Sequence, residues 1–453
     1  MTSLSFAVAV ARFEAVNDGL KKKVGSGVRK KKSDTMGPVA SAAGVFLIAL
    51  LALACALLAV LGVRSGELAG ASFEPLIPLG IYAVGIPLLL VWLRAIGWRG
   101  DAGILGAVIL LSGLGLLVQF RMGSFSSGLA SLQSVVPFAV GLAAFAVGAA
   151  LTQKGKGAWM QPLGWVAYLA ALGVFGAVMV LGRSYRGGLY LPGNISPTEV
   201  VKPLLVLFLA MYLGRNHETF SEARAGIPMP SFPALLGLVA LWGVPMAITI
   251  YQRDLGMVAL LNAILIVMLF AAGKRMGYLA LGLAGVAAAG YGMQFLSSHA
   301  QVRFDIWLNP FEDPTGKGWQ ILQGLAAMYS GGWWGAGLGG GAPQAVPIVT
   351  SDFVYAAVAE EIGLVGCALL LAAYAVLFSR GFRAAGGAWT PFERLLCVGL
   401  TASLAVQALF NVAGVTKALP MTGITLPFIS HGGSSLITCL FVAGLVCGLS
   451  DNE

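Results

Sequence analysis

Twelve apolar stretches, each of a length that crosses or nearly crosses a hydrocarbon core of about 30 Å, divide this chain of 453 residues. They fall at residues 41–63, 76–96, 104–120, 136–151, 163–181, 200–213, 232–250, 257–272, 278–296, 353–378, 395–415 and 435–449. No water satisfies backbone N–H and C=O groups inside a bilayer, so segments of this length and spacing are expected to be helices. Composition points the same way, with 58% hydrophobic and 10% charged residues against about 25% charged in a soluble domain. The expected fold class is an all-α polytopic membrane protein of about 12 transmembrane helices. The 62 glycines follow no three-residue period, which excludes collagen and suits helices pressed close together in a membrane.

A formal charge of +9 would ordinarily raise nucleic acid as a partner. Its distribution argues for topology instead. Much of it sits in KKKVGSGVRKKK, residues 21–32, just ahead of the first apolar stretch, where a basic run holds the N-terminus inside and touches anionic headgroups. With that orientation, 19 of the 28 Lys and Arg residues fall on the inner side. The bias predicts two cytoplasmic termini and an even number of helices. Residues 1–40 read as a basic cytoplasmic tail and 41–97 as a first pair of helices. The five cysteines all lie in apolar runs without metal-ligand spacing, and the three histidines are dispersed. Neither a disulfide framework nor a zinc site is expected.

The long stretch at about 297–352 has no spanning segment and is placed outside. Its Trp307, Trp319, Trp333 and Trp334 suit a membrane interface, and GWQILQGLAAM at 318–328 reads as a short interfacial helix. GGWWGAGLGGG at 331–341 lacks a GKS or GKT ending and follows no strand, so it is no phosphate-binding P-loop. GITLPFISHGGSSL at 423–436 reads as a broken-helix approach to the last span, because Pro427 and Gly432–Gly433 interrupt a helix.

Ionisable groups in or beside a membrane are costly and therefore informative. Asp352 precedes the tenth span, where it or Ser351 reads either as a helix N-cap or as a general base facing an outer cavity. Glu360 and Glu361 lie deeper on the same helix; adjacent residues face different ways, so one at least needs a cationic or hydrogen-bonding partner. Glu199 and Lys202, three apart at the start of the sixth span, share a face and read as an ion pair, with Lys202 alternatively reaching outward to a phosphate. Arg183 and Arg186, Arg253 beside Asp254, and Lys417 are outer-side cations suited to diphosphate. His431 reads as a hydrogen-bonded packing residue.

Three long segments then resemble one family. DPTGKGWQILQGLAAMYSGGWWGAGLGGG, SDFVYAAVAEEIGLVG and QALFNVAGVTKALPMTGITLPFISHGGSSL, in that order, are similar to the SEDS proteins of bacterial shape, elongation, division and sporulation. ISPTEVVKPLL at 195–205 is similar to the family's Q-P-S-E-x-x-K, and QRDLG at 252–256 to its Q-P-D-L-G. The resemblance implies a ten-helix glycosyltransferase core over about 104–449 that polymerises lipid II into glycan strands on the outer face of the cytoplasmic membrane. It puts the family's essential aspartate at Asp352, substrate contact at Ser434, and a class B penicillin-binding protein as partner. Ser351 stands where threonine is usual, Thr350 where histidine is frequent, His431 where tyrosine is usual and Arg253 where proline is usual.

The leading expectation is therefore an inverting peptidoglycan glycosyltransferase acting in division or elongation. Asp352 would be its base, outer cations would stabilise the diphosphate, and a divalent cation such as Mg or Mn would assist. A lipid II flippase or other transporter, and a non-catalytic scaffold, are the alternatives left open by broken helices and intramembrane carboxylates.

Overall fold

A computed structural model describes residues 37–64, 76–125, 128–185, 188–190, 196–224, 227–252, 254–296 and 298–451. The basic run at 21–32 lies outside the described residues. The apolar stretches become helices α1 (Pro38–Arg64), α2 (Leu76–Ala95), α3 (Ala102–Arg121), α4 (Gly128–Thr152), α5 (Gly164–Leu181), α6 (Pro197–Arg215), α7 (Phe232–Tyr251), α8 (Leu255–Gly273) and α9 (Met276–Leu296). Two shorter helices, α10 (Ser298–Leu308) and α11 (Trp319–Gly331), occupy the long loop. They are followed by α12 (Val354–Gly386), α13 (Pro391–Val415) and α14 (Gly433–Leu449). The only sheet structure among the described residues is two short antiparallel pairings, Arg183–Tyr185 with Gly188–Tyr190 and Ala223–Arg224 with Ile227–Pro228.

Nine of these helices are long and apolar enough to cross a membrane by length and composition. Residues 276–292 of α9 and the whole of α14 are apolar but shorter, and α6 carries Glu199 and Lys202 in its first two turns. The chain is a multi-pass membrane protein. Among the nine, α3 and α13 are the most enclosed by other helices. α13 packs against α6, α8, α12 and α14, while α3 packs against α1 and α12. The first pair of helices docks on the rest: α1 lies along α3, α2 along α4, and Tyr82 of α2 donates its hydroxyl to the Ile109 carbonyl of α3 at 2.8 Å.

The most extensive helix pair is α4 with α14, and small residues explain it. A β-carbon at Gly444 would sit 2.2 Å from the Phe145 carbonyl oxygen, and one at Gly448 would sit 2.4 Å from that of Ala149. The backbones touch, as close helix packing in lipid requires. Thr152 adds a hydroxyl bond across the seam to the Leu445 carbonyl at 2.9 Å. At the start of α3, Asp101 caps the helix by accepting from Gly103 and Ile104 N–H, and its carboxylate meets Arg380 at 3.3 Å. Thr390 and Glu393 form a capping box on α13.

Gly444→Ala is expected to force these backbones apart and destabilise the bundle by about 1–3 kcal/mol. Gly173→Ala on α5, where a β-carbon meets nothing within 4 Å, should be neutral or mildly stabilising. Thermal unfolding of the detergent-solubilised variants checks the contrast.

Candidate functional site

Asp352 lies two residues before α12. The helix cap falls at Phe353, which makes no side-chain capping bond, so neither Ser351 nor Asp352 is the N-cap residue. What holds Asp352 is the end of α13 together with the chain between α13 and α14. Asn411 Nδ2 donates to the Asp352 carbonyl at 2.9 Å and to the Ile424 carbonyl at 2.8 Å. Ser430 donates its hydroxyl to the Ser351 carbonyl at 2.6 Å, and the His431 N–H donates to the Thr350 carbonyl at 2.7 Å. Ile348 at φ 55° and Phe428 at φ 66°, in this zipped pair of segments, adopt left-handed backbone. Such conformations cost about 1–3 kcal/mol each for bulky side chains and persist only where surroundings impose them. The Asp352 carboxylate is half-buried; its Oδ2 lies 3.8 Å from where a β-carbon at the exposed Gly423 would be.

One cation approaches the same segment from α10, and a second, Lys417, lies at its start. The exposed Arg303 donates to the Met421 and Thr422 carbonyls at 3.2 and 3.5 Å. One turn on, Trp307 donates its indole N–H to the Lys417 carbonyl at 3.0 Å, and Lys417 Nζ in return reaches the Leu308 carbonyl at 3.5 Å. Among the described residues neither Arg303 nor Lys417 forms an ion pair, so both keep charge to offer.

Below Asp352, α12 is broken. Gly363 takes φ 65°, ψ −172° inside the helix, which leaves backbone groups on both sides without helical partners. The glycine-rich loop at 331–341 fills the break. Ala336 and Gly337 N–H donate to the Glu360 and Glu361 carbonyls at 2.8 and 3.1 Å, while Leu364 and Val365 N–H donate to the Gly332 and Trp333 carbonyls at 3.0 and 3.1 Å. Glycine is required by the close approach: a β-carbon at Gly335 would lie 2.2 Å from the Glu361 oxygen, and one at Gly363 2.3 Å from the Gly335 nitrogen. Both glutamates serve this junction. Glu361 pairs with Arg121 of α3 at 2.5 Å, and Arg121 also donates to the Gly341 carbonyl at 2.8 Å. Glu360 accepts from the Ala342 N–H at 2.8 Å.

A second buried set links α6 to α13. Lys202 Nζ pairs with Glu199 at 2.7 Å and donates to Gln407 Oε1. The Gln407 amide donates to the Thr425 carbonyl and hydroxyl, each at 3.1 Å.

Residues 100–453 match the FtsW, RodA and SpoVE family of cell cycle proteins. The chain belongs to this family. It is 34% identical over 367 residues to a protein of Mycobacterium tuberculosis named peptidoglycan glycosyltransferase RodA, covering 77% of this chain and 78% of that one. It is 36% identical over 282 residues to a probable peptidoglycan glycosyltransferase FtsW of Geobacter sulfurreducens, covering 61% and 72%. Among solved structures, a chain described for coordination of polymerization and crosslinking by a peptidoglycan synthase complex superposes with a TM-score of 0.62. That chain is 27% identical, with 78% of this chain and 97% of its own covered. RodA of Thermus thermophilus gives 0.54 at 25% identity.

Within this FtsW, RodA and SpoVE fold, the expected residues divide. Glu199 and Lys202 do form a pair, but Lys202 is only 2% exposed and points inward to Gln407, so the reading in which it reaches outward to a phosphate is corrected. A buried ammonium requires such partners, here a carboxylate and an amide oxygen together. Asp254 caps α8 by accepting from the Met257 N–H at 2.9 Å. Ser434 accepts from the Ser196 N–H at 3.3 Å and lies at the start of α14, apart from the bonds that hold Asp352. Arg186 and Arg253 lie outside the described residues, as does the side chain of Arg183. Arg121, Arg303, Gln407 and Asn411 were not singled out by sequence reasoning. The signal for two of them was present: Gln407 and Asn411 are polar residues four apart in a span, hence on one face. No group of three or more His, Cys, Asp or Glu side chains able to hold a metal occurs among the described residues.

Breaking the Arg121–Glu361 pair strands a charge, since the side chains are only 9% and 7% exposed and the cleft beside them is lined by Leu117, Val118, Leu338, Val358 and Ile362. Arg121→Met alone is expected to cost about 3–5 kcal/mol, and Arg121→Met with Glu361→Leu to recover most of it, read by thermal unfolding. His431, outside the spanning helices, has its pKa pushed below the ordinary value by burial. Its neutral form is therefore the native one, and the unfolded chain binds more protons once pH falls below about 6.5. Stability is fully present above that pH and declines as pH drops towards the native pKa. His431→Tyr should flatten the decline in melting temperature between pH 7 and 5.5.

Proposed function

We propose that this chain polymerises lipid II into peptidoglycan glycan strands at the outer face of the bacterial cytoplasmic membrane. Its membership of the family and its relatives' name, peptidoglycan glycosyltransferase, support the reaction. The observation that carries the assignment of the base is the clamping of Asp352. A half-buried carboxylate is fixed through its own backbone beside the exposed Gly423 and below two cations that form no ion pair among the described residues.

In this mechanism the Asp352 carboxylate accepts the proton of the GlcNAc 4-hydroxyl of the acceptor lipid II as that oxygen attacks the anomeric carbon of the growing strand. The bond to undecaprenyl diphosphate breaks with inversion, and its electron pair leaves on the diphosphate. Arg303 and Lys417, with Arg183, Arg186 and Arg253 on the same outer side, stabilise that departing charge. The protein side chains described do not form a metal cage. A Mg or Mn ion would be carried chiefly by the substrate's diphosphate oxygens, with one carboxylate at most, and no step here depends on it.

The proposed topology counts α1 to α9 and α12 to α14 as twelve spans with both termini cytoplasmic, in keeping with the positive-inside bias. Residues 104–449 form the catalytic core, preceded by the helix pair at 41–97 and the basic tail at 1–40. A class B penicillin-binding protein is the proposed partner. A solved relative belonging to a complex that coordinates polymerization with crosslinking supports it.

Purified full-length chain with its transpeptidase partner should make glycan strands from lipid II, and Asp352→Asn should lower the rate by about 10²–10⁴-fold. Equal strands from both would remove Asp352 as the base. No strands from either, in a preparation that moves lipid II across vesicles, would turn the assignment to transport.

A further inference from the structure

We infer that Asn411 is a positioning residue for Asp352, joining the backbone carbonyls of Asp352 and Ile424 through one buried amide. The inference rests on the reading of Asp352 as the general base. Asn411 lies near the end of α13 and is 3% exposed. A carboxamide in such a place is unfavourable unless its polar atoms are bonded. Its nitrogen has two hydrogens and both are used, at 2.9 Å on Asp352 and 2.8 Å on Ile424. Both partners are carbonyl oxygens, so the nitrogen rather than the oxygen must face them.

The arrangement does more than satisfy Asn411. Its own Oδ1 is buried without a partner among the described residues, so an apolar side chain would avoid that cost altogether. What an apolar side chain does not do is hold two carbonyl oxygens from separate segments close to one point. Without a shared donor these oxygens repel, and the Asp352 end of the segment at 350–353 is released while Ser430 and the His431 N–H still hold Ser351 and Thr350.

Gln407, one turn earlier on the same face of α13, repeats the device. Its amide nitrogen binds Thr425, next to Ile424, and its oxygen accepts from the buried Lys202. The lower rung thus anchors the 424–425 segment to an ion pair on α6. The upper rung passes that position on to Asp352. Asn411 touches no reacting atom in this scheme; it acts through the placement of the carboxylate, where an error of about 1 Å lowers a rate about 10²-fold.

The test compares full-length wild type, Asn411→Ala, Asn411→Ser and Asp352→Asn in lipid II polymerisation, with melting temperatures measured on the same preparations. Asn411→Ala is expected to lower kcat about 100-fold, with KM for lipid II within about twofold, and to lower the melting temperature because two carbonyls lose their donor. Asn411→Ser, which retains one donor, should fall between. If Asn411→Ala does not yield folded protein, Asn411→Ser carries the test, with kcat lowered about 10-fold at unchanged KM. A folded variant with wild-type kcat overturns the inference. So does a loss in which kcat falls only together with a raised KM, the pattern of a purely structural residue. Wild-type activity in Asp352→Asn would overturn the base assignment itself, whereas an inactive Asp352→Asn beside an active Asn411→Ala overturns the positioning role alone.

Discussion

Away from water, a backbone N–H or C=O that leaves the helical ladder must find another partner, and the cost of failing is several kcal/mol per group. That constraint organises this structure. The chain leaves helical geometry inside the bundle at Gly363, before α12 at 346–353, and between α13 and α14 at 417–432. At each place a specific partner is supplied. The glycine-rich loop binds both sides of the break in α12, and the two other segments bind each other through Asn411, Ser430 and the His431 N–H. Tyr374 of α12 adds a hydroxyl bond to the Pro427 carbonyl at 2.5 Å. The departures from helix coincide with the residues expected to do chemistry, as is usual where irregular backbone is tolerated at membrane depth.

Buried charge is handled in the same economical way. Glu361 meets Arg121 and Lys202 meets Glu199, and neither pair stands alone. Arg121 also binds the carbonyl of Gly341, and Lys202 also binds Gln407. A buried pair contributes little net stability, since desolvation offsets its Coulomb attraction, but its geometry can specify one arrangement over others. Here the first pair pins the glycine-rich loop to α3 and α12, and the second pins α6 to the segment beside Asp352. The first ion pair therefore joins α3 to α12, and the second, which lies within α6, reaches α13 through Gln407.

Much of the helical framework was legible from apolar run length alone, because a bilayer leaves so few alternatives. The run at 232–250 became Phe232–Tyr251, and that at 257–272 became Leu255–Gly273. The expected interfacial helix at 318–328 became Trp319–Gly331. Local pairs were legible too, since Glu199 and Lys202 meet through helical periodicity. Partners distant in sequence were not. Nothing near Arg121 announces a glutamate 240 residues away. The glycines of 331–341 could be excluded from phosphate binding, but their purpose required the break at Gly363 to be seen. Lys202 was half legible: periodicity placed it beside Glu199, whereas its inward direction depends on Gln407 arriving from α13.

Asp352, the proposed base, is held in this fold by its main chain. A base must keep its oxygens available to substrate, so bonds to the carboxylate itself would compete with the reaction and lower its basicity. Bonds to the carbonyls of Thr350, Ser351 and Asp352 fix these residues through the main chain. They also relieve a practical problem of the helix terminus. With Phe353 at the cap position, the first turn of α12 is not closed by the cap residue's side chain, and the chain ahead of it would be loose if it were not zipped to 422–431. The left-handed backbone at Ile348 and Phe428 fits this account, because two bulky residues are kept in costly conformations by the bonds between their segments. The cost of left-handed backbone at this end of the bundle is offset by the bonds that join the two segments.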